Sequence, residues 1–95
     1  MPAHVILDIT VKDPDLFEEY KLLAPSTIAA FGGKYLARGG KVEALEGDWT
    51  PNRIVILEFE SSAIAKTWLD SPEYREARAM RHQAATSHTI VVEGV

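Results

Sequence analysis

The segment "RIVILEFE", residues 53–60, constrains this chain more than any other, because as a strand it is apolar on both sides. Its β-branched content and its length predict a strand. Val55, Leu57 and Phe59 fall on one side and Ile54, Ile56 and Glu58 on the other, so a single acid interrupts the apolar run. A sheet built on such a strand needs covering on two faces. The stretch "AHVILDITVK", residues 3–12, alternates Val5, Leu7, Ile9 and Val11 against His4, Ile6, Asp8 and Thr10. The closing "SHTIVVEGV" sets Ile90 and Val92 against Thr89 and Val91.

Between these strands the punctuation is helical. Asp13 and Pro14 make a helix start, an N-cap acid followed by proline at the first helical position. The helix carries Leu16, Phe17, Tyr20, Leu23, Ile28 and Phe31 as an apolar stripe, and Gly32 and Gly33 end it. Pro25 inside it predicts a kink or a break. A hairpin follows, with one strand over 34–46, a loop over 47–52 and a second strand over 53–60. Ser61 caps a second helix, and Ser71 with Pro72 starts a further one. The order is β-α-β-β-α-β, a single α+β domain of the ferredoxin-like type with an antiparallel sheet. Its helices cover one face of the sheet. A second copy, sheet against sheet in a homodimer, is the simplest cover for the other. The alternative is a monomer with a few exposed aliphatic side chains.

The formal net charge of −4 argues against a nucleic-acid partner, whose phosphates demand a basic face. There is no cysteine, which excludes disulfides, thiolate metal sites and a cysteine nucleophile. No signal-peptide pattern opens the chain, and no apolar run approaches the roughly 20 residues of a membrane helix, so the expectation is a cytoplasmic protein with no membrane partner. Three scattered histidines lack metal-ligand spacing, and there is no glycine-rich phosphate loop. No metal and no cofactor are expected.

With Val55, Leu57, Val5 and Leu7 turned toward the helices, Glu58 and Asp8 point to the opposite face of neighbouring strands. Two carboxylates in one half-buried chamber need a cation or a hydrogen-bond donor. Arg38, on the hairpin partner of the Glu58 strand, is the natural one. Gly39 and Gly40 beside it predict a β-bulge. Either that bulge re-aims Arg38 toward a ligand, or it only curls the sheet and Arg38 balances Glu58 structurally. His88 would be a proton carrier on the same face, though a slip of one residue turns it away. His4, at a strand start, is expected to be exposed, and His82 to lie on the surface of a charged helix. Tyr20 reads first as core. Tyr74 with Arg78 and Arg81 forms either a phenol and guanidinium face or part of a solvated charged helix surface. Trp49, on an exposed turn, suits a subunit boundary.

Four stretches in order, "GGKYLARGG", "EGDWTPNRIVILEFES", "SPEYREARAMR" and "VVEG", resemble the family known as domain of unknown function 1330 over nearly the whole chain. The resemblance implies a ferredoxin-like protomer in a dimeric α/β barrel. The positions that match its motifs are Arg38, Gly39, Gly40, Glu46, Gly47, Arg53, Glu58, Tyr74 and Arg81. Related barrels include cofactor-independent monooxygenases, isomerases and stress-response binders, which is an analogy of fold. The functional expectation is a homodimer that binds a small organic acid or phenol-like compound. Arg38, Asp8, Tyr20, Tyr74 and Arg81 would line the site, and Glu58 or His88 would act as acid/base. The alternative is a non-catalytic dimeric module, structural or ligand-sensing.

Overall fold

A computed structural model describes residues 1–95. Its elements are β1 (Ala3–Val11), α1 (Pro14–Ala30), β2 (Lys34–Arg38), β3 (Arg53–Phe59), α2 (Ser62–Leu69), α3 (Pro72–Ala84) and β4 (Ala85–Glu93). The sheet is antiparallel throughout, in the order β2-β3-β1-β4. This is the ferredoxin-like arrangement, with its second helical segment divided into α2 and α3. No helix is long and apolar enough to cross a membrane.

Each helix begins where a short polar side chain can satisfy an otherwise orphaned backbone N–H. Asp13 accepts from the Leu16 amide at 3.2 Å, Ser61 from Ile64 at 3.2 Å and Ser71 from Tyr74 at 3.2 Å. The Ser71 cap forces the chain to restart after Asp70, which separates α2 from α3. Of the two outcomes expected of Pro25 the break does not occur, and α1 runs through it to Ala30.

One face of the sheet and the helices enclose the core. Val5, Leu7, Ile9, Val55, Leu57 and Phe59 are all buried there, as the alternation predicts. Trp68 is the hub on the helix side, its ring 4.2 Å from Tyr74 and 5.4 Å from Phe59 between centroids. Its indole N–H donates to the Thr27 hydroxyl at 3.1 Å, so the one polar atom of the ring is satisfied inside the core. The opposite face carries Ile6, Ile54 and Ile56, half-buried, and Ile90, 60% exposed.

The hairpin departs from the sequence reading in two ways. β2 ends at Arg38 instead of running to residue 46, because Gly39, whose N–H makes a last bond to the Ile54 carbonyl at 2.9 Å, turns the chain at φ 71° and residues 40–52 leave the ladder. The bulge is also not at Gly39–Gly40. The register passes from Tyr35 opposite Leu57 to Ala37 opposite Ile56, so Leu36 is the extra residue. Beyond it every side chain changes face relative to an unbroken strand. Arg38 therefore lies opposite Val55, on the helix side of the sheet.

Gly33 tests the closeness of the α1–β2 junction. A Cβ there would lie 2.5 Å from Phe59 Cε1 and 2.8 Å from Ile28 Cγ2, and both side chains are buried. Gly33→Ala is expected to destabilise the fold by about 1–3 kcal/mol through overpacking, read as a lowered urea midpoint. An unchanged midpoint would mean that Phe59 is not seated against this turn.

Candidate functional site

The helix-side pocket is built at the β2–β3 end of the sheet from Phe17, Tyr20, Tyr35, Arg38 and Arg53, with Trp68 at its back. Arg38 arrives there through the Leu36 bulge and is held by a consequence of Pro25. A proline has no N–H, so Pro25 leaves the carbonyl of Lys21, four residues earlier, without its helical donor. The Arg38 guanidinium donates to that carbonyl at 2.9 Å and sits 4.7 Å from the centroid of the Tyr35 ring. Arg53 enters from the first position of β3, where it shares a face with Val55 and Leu57. Its guanidinium lies 5.4 Å from the Phe17 ring centroid, and its buried Nε has no hydrogen-bond partner. Gly39 makes room for it: a Cβ at that position would come within 2.2 Å of Arg53 Nη1. Neither guanidinium has a carboxylate within ion-pair distance.

The phenols of the pocket are held protonated. Tyr20 and Tyr74 share a hydrogen bond of 2.7 Å, and burial followed by the Tyr74 hydroxyl pushes the Tyr20 pKa well above the ordinary phenol range. Burial also raises Tyr35, against the pull of the Arg38 and Arg53 charges. The free space among these groups is about 20 Å³, room for a water.

The predicted pairing of Arg38 with Glu58 does not occur, because the bulge puts them on opposite faces. Glu58 lies on the outer face, 3.3 Å from Lys34 Nζ and 3.3 Å from His4 Nε2. These two partners, Lys34 first, hold its carboxyl below the usual carboxylate range. His4 is thus half-buried and bonded, where exposure was expected. Asp8 shares the outer face with Glu58, but Glu58 pairs with His4, four residues earlier in β1, a separation of about 13 Å along the strand. One small chamber cannot join them. Asp8 instead anchors the loop, accepting from the Trp49 indole at 3.2 Å and from the Asn52 amide at 3.2 Å.

His88 pairs directly across from Asp8, which fixes its facing outward, and it is exposed. Trp49 is 65% exposed on the same side. Of the predicted site residues, the structure therefore brings Arg38 and Tyr20 together in the pocket and places Tyr74 behind them. Asp8, Glu58 and His88 belong to the other side of the sheet. Arg81 lies on neither side in solvent: it is buried between α3 and β4, so the solvated-surface reading fails for it. Arg53 received no role from spacing alone, although its parity with Val55, Leu57 and Phe59 marks a cation on the buried face.

A family model described as "Domain of unknown function (DUF1330)" matches residues 2–95. No curated protein matches the chain. Among solved structures, the chain is similar to RPA0582, a protein of unknown function from Rhodopseudomonas palustris. The two are 24% identical, with 99% of this chain and 82% of that one covered and a TM-score of 0.74. A dimeric ferredoxin-like protein of unknown function from Thermobifida fusca is 16% identical, with 97% and 90% covered and a TM-score of 0.66. SnoaB, a cofactor-independent oxygenase from Streptomyces nogalater, is 13% identical, with 99% and 93% covered and a TM-score of 0.62. At these identities the likeness is one of fold.

The Glu58 cluster sets a pH dependence. Because its folded-state pKa lies below the ordinary 4.5, its contacts stabilise the fold above that value. The contribution fades as pH falls through the lowered one. Glu58→Gln is expected to flatten the loss of urea stability below about pH 4.5, relative to the unmutated chain. Parallel acid limbs in the two proteins would show that Lys34 and His4 do not favour the ionised carboxylate.

Proposed function

The chain belongs to the DUF1330 family, and we propose that it is a homodimer that binds a small organic acid or phenol-like compound. The proposed site is the pocket between its helix layer and sheet. The observation that carries this reading is the pair of guanidinium groups, Arg38 and Arg53, meeting in an apolar, tyrosine-walled pocket with no carboxylate within ion-pair distance of either. In a protein of net charge −4, two cations on one face, neither paired with a carboxylate, favour an anion brought from outside. The aromatic walls favour a flat body on that anion. A pocket of about 20 Å³ must open to admit it. The side chain to move is Arg38, which would exchange the Lys21 carbonyl for the ligand's carboxylate.

Acid/base roles for Glu58 or His88 on this ligand do not fit one protomer, because both lie on the outer face. The protonated Tyr20 is suited to donate a hydrogen bond and not to accept a proton. The non-catalytic reading, with ligand-binding as the activity, is therefore the better supported form of the proposal.

The second copy covers the outer face. Ile6, Ile54, Ile56 and Ile90 form a contiguous apolar strip there, and an antiparallel sheet with only one helix layer leaves it to solvent. The solved neighbour described as dimeric has the same fold. An isologous interface sets one patch against its own copy, and a strip of like aliphatic side chains suits that.

Thermal-shift titration with benzoate, salicylate and simple phenols tests the site. A saturable rise in Tm is expected, and Arg38→Ala should weaken the affinity about 10- to 100-fold, the worth of one charge-assisted hydrogen bond. Equal shifts in the two proteins would remove Arg38 from the site, and no shift across the set would favour a purely structural module. For the assembly, light scattering is expected to give twice the 10.5 kDa of one chain, and Ile90→Glu to return it to a single mass. A single-chain mass for the unmutated protein at tens of micromolar would reject the dimer.

A further inference from the structure

We propose that the cleft between α3 and the edge strand β4 is a phosphate-binding site anchored by Arg81. The site stands apart from the Arg38–Arg53 pocket. β4 lies three strand spacings, about 14 Å, from the β2 of Arg38 and two, about 10 Å, from the β3 of Arg53.

Arg81 is 3% exposed, yet it has no carboxylate within ion-pair distance. Its single hydrogen bond runs from Nη1 to the Ser87 hydroxyl, and its buried Nε has no partner. A buried, half-satisfied guanidinium is costly unless something supplies negative charge. The space beside it is a cleft of about 480 Å³, lined by Arg78, Arg81, His82, Ser87 and Thr89 and by no acidic residue. Ser87 and Thr89 pair with Ile9 and Leu7, so their hydroxyls lie on the helix side and floor the cleft. Arg78, from the next turn of α3, is tied to Asp70 at 2.9 Å and contributes its outer edge. His82 is held below its usual pKa by burial and, after that, by the Arg81 and Arg78 charges.

The chemistry favours a phosphate over a monocarboxylate. The cleft is open and polar, with hydroxyl and guanidinium donors spread around it, and a dianion answers more of them than a single charge does. Free phosphate and a phosphate monoester share this recognition.

Calorimetric titration with inorganic phosphate and with glycerol phosphate, on the unmutated chain and on Arg81→Met, decides it. Saturable binding in the millimolar range or tighter is expected for the unmutated chain and loss of at least ten-fold for Arg81→Met. In phosphate-free buffer the variant should melt no lower than the parent, because it removes an uncompensated buried charge. Tighter binding of glycerol phosphate would identify the ligand as a monoester, and equal binding as the free ion. Absence of saturable binding, or equal affinity in the variant, would overturn the site. If Arg81→Met does not fold, the Ser87→Ala, Thr89→Ala double variant takes its place, with about ten-fold weaker phosphate binding expected and unchanged affinity overturning the proposal.

Discussion

One supernumerary residue in a five-residue strand decides which charged groups stand on each face of the sheet. Without the bulge at Leu36, Arg38 would pair with Ile54 on the outer face and extend the polar series of Lys34, His4 and Glu58. With it, the guanidinium passes to the helix side, where Arg53 already sits. The two hairpin arginines are thereby gathered on the face that also carries the aromatic rings, while Lys34, Glu58 and Asp8 remain on the other. The pocket and the outer face are chemically different because of a single shift in register.

Much of the fold is legible in the residues. The serine and aspartate caps, the prolines after them and the period-two alternation of β1 and β3 all describe what forms, because each acts through neighbours in the chain. The facing of His88 and the place of the bulge are set by pairing between distant strands, and the sequence around Leu36 has no glycine or proline to announce it. Gly39 and Gly40 drew the inference to the wrong residue. Gly39 does answer a backbone need, a positive φ, but its missing side chain makes way for Arg53 and does not bulge the ladder.

Arg53, which spacing gave no role, and Arg81, expected to line the site or to lie on a solvated helix face, carry the same lesson. Arg53 keeps the parity of the buried side of β3. Arg81 falls on the stripe of Tyr74, Ala77 and Ala84 that packs α3 into the core. A charged residue is ordinarily assigned to solvent by its type, yet in both cases its position in the period places it inside. Where type and period disagree, the period held here, and the disagreement marks groups whose charge the protein leaves unanswered.

The proline in α1 has a mechanical consequence. By withholding one amide it leaves the helix spliced to the hairpin through a side chain, so the two elements cannot shift independently while that splice is made. Where the Arg38 guanidinium leaves, the Lys21 carbonyl near the middle of α1 is left to water.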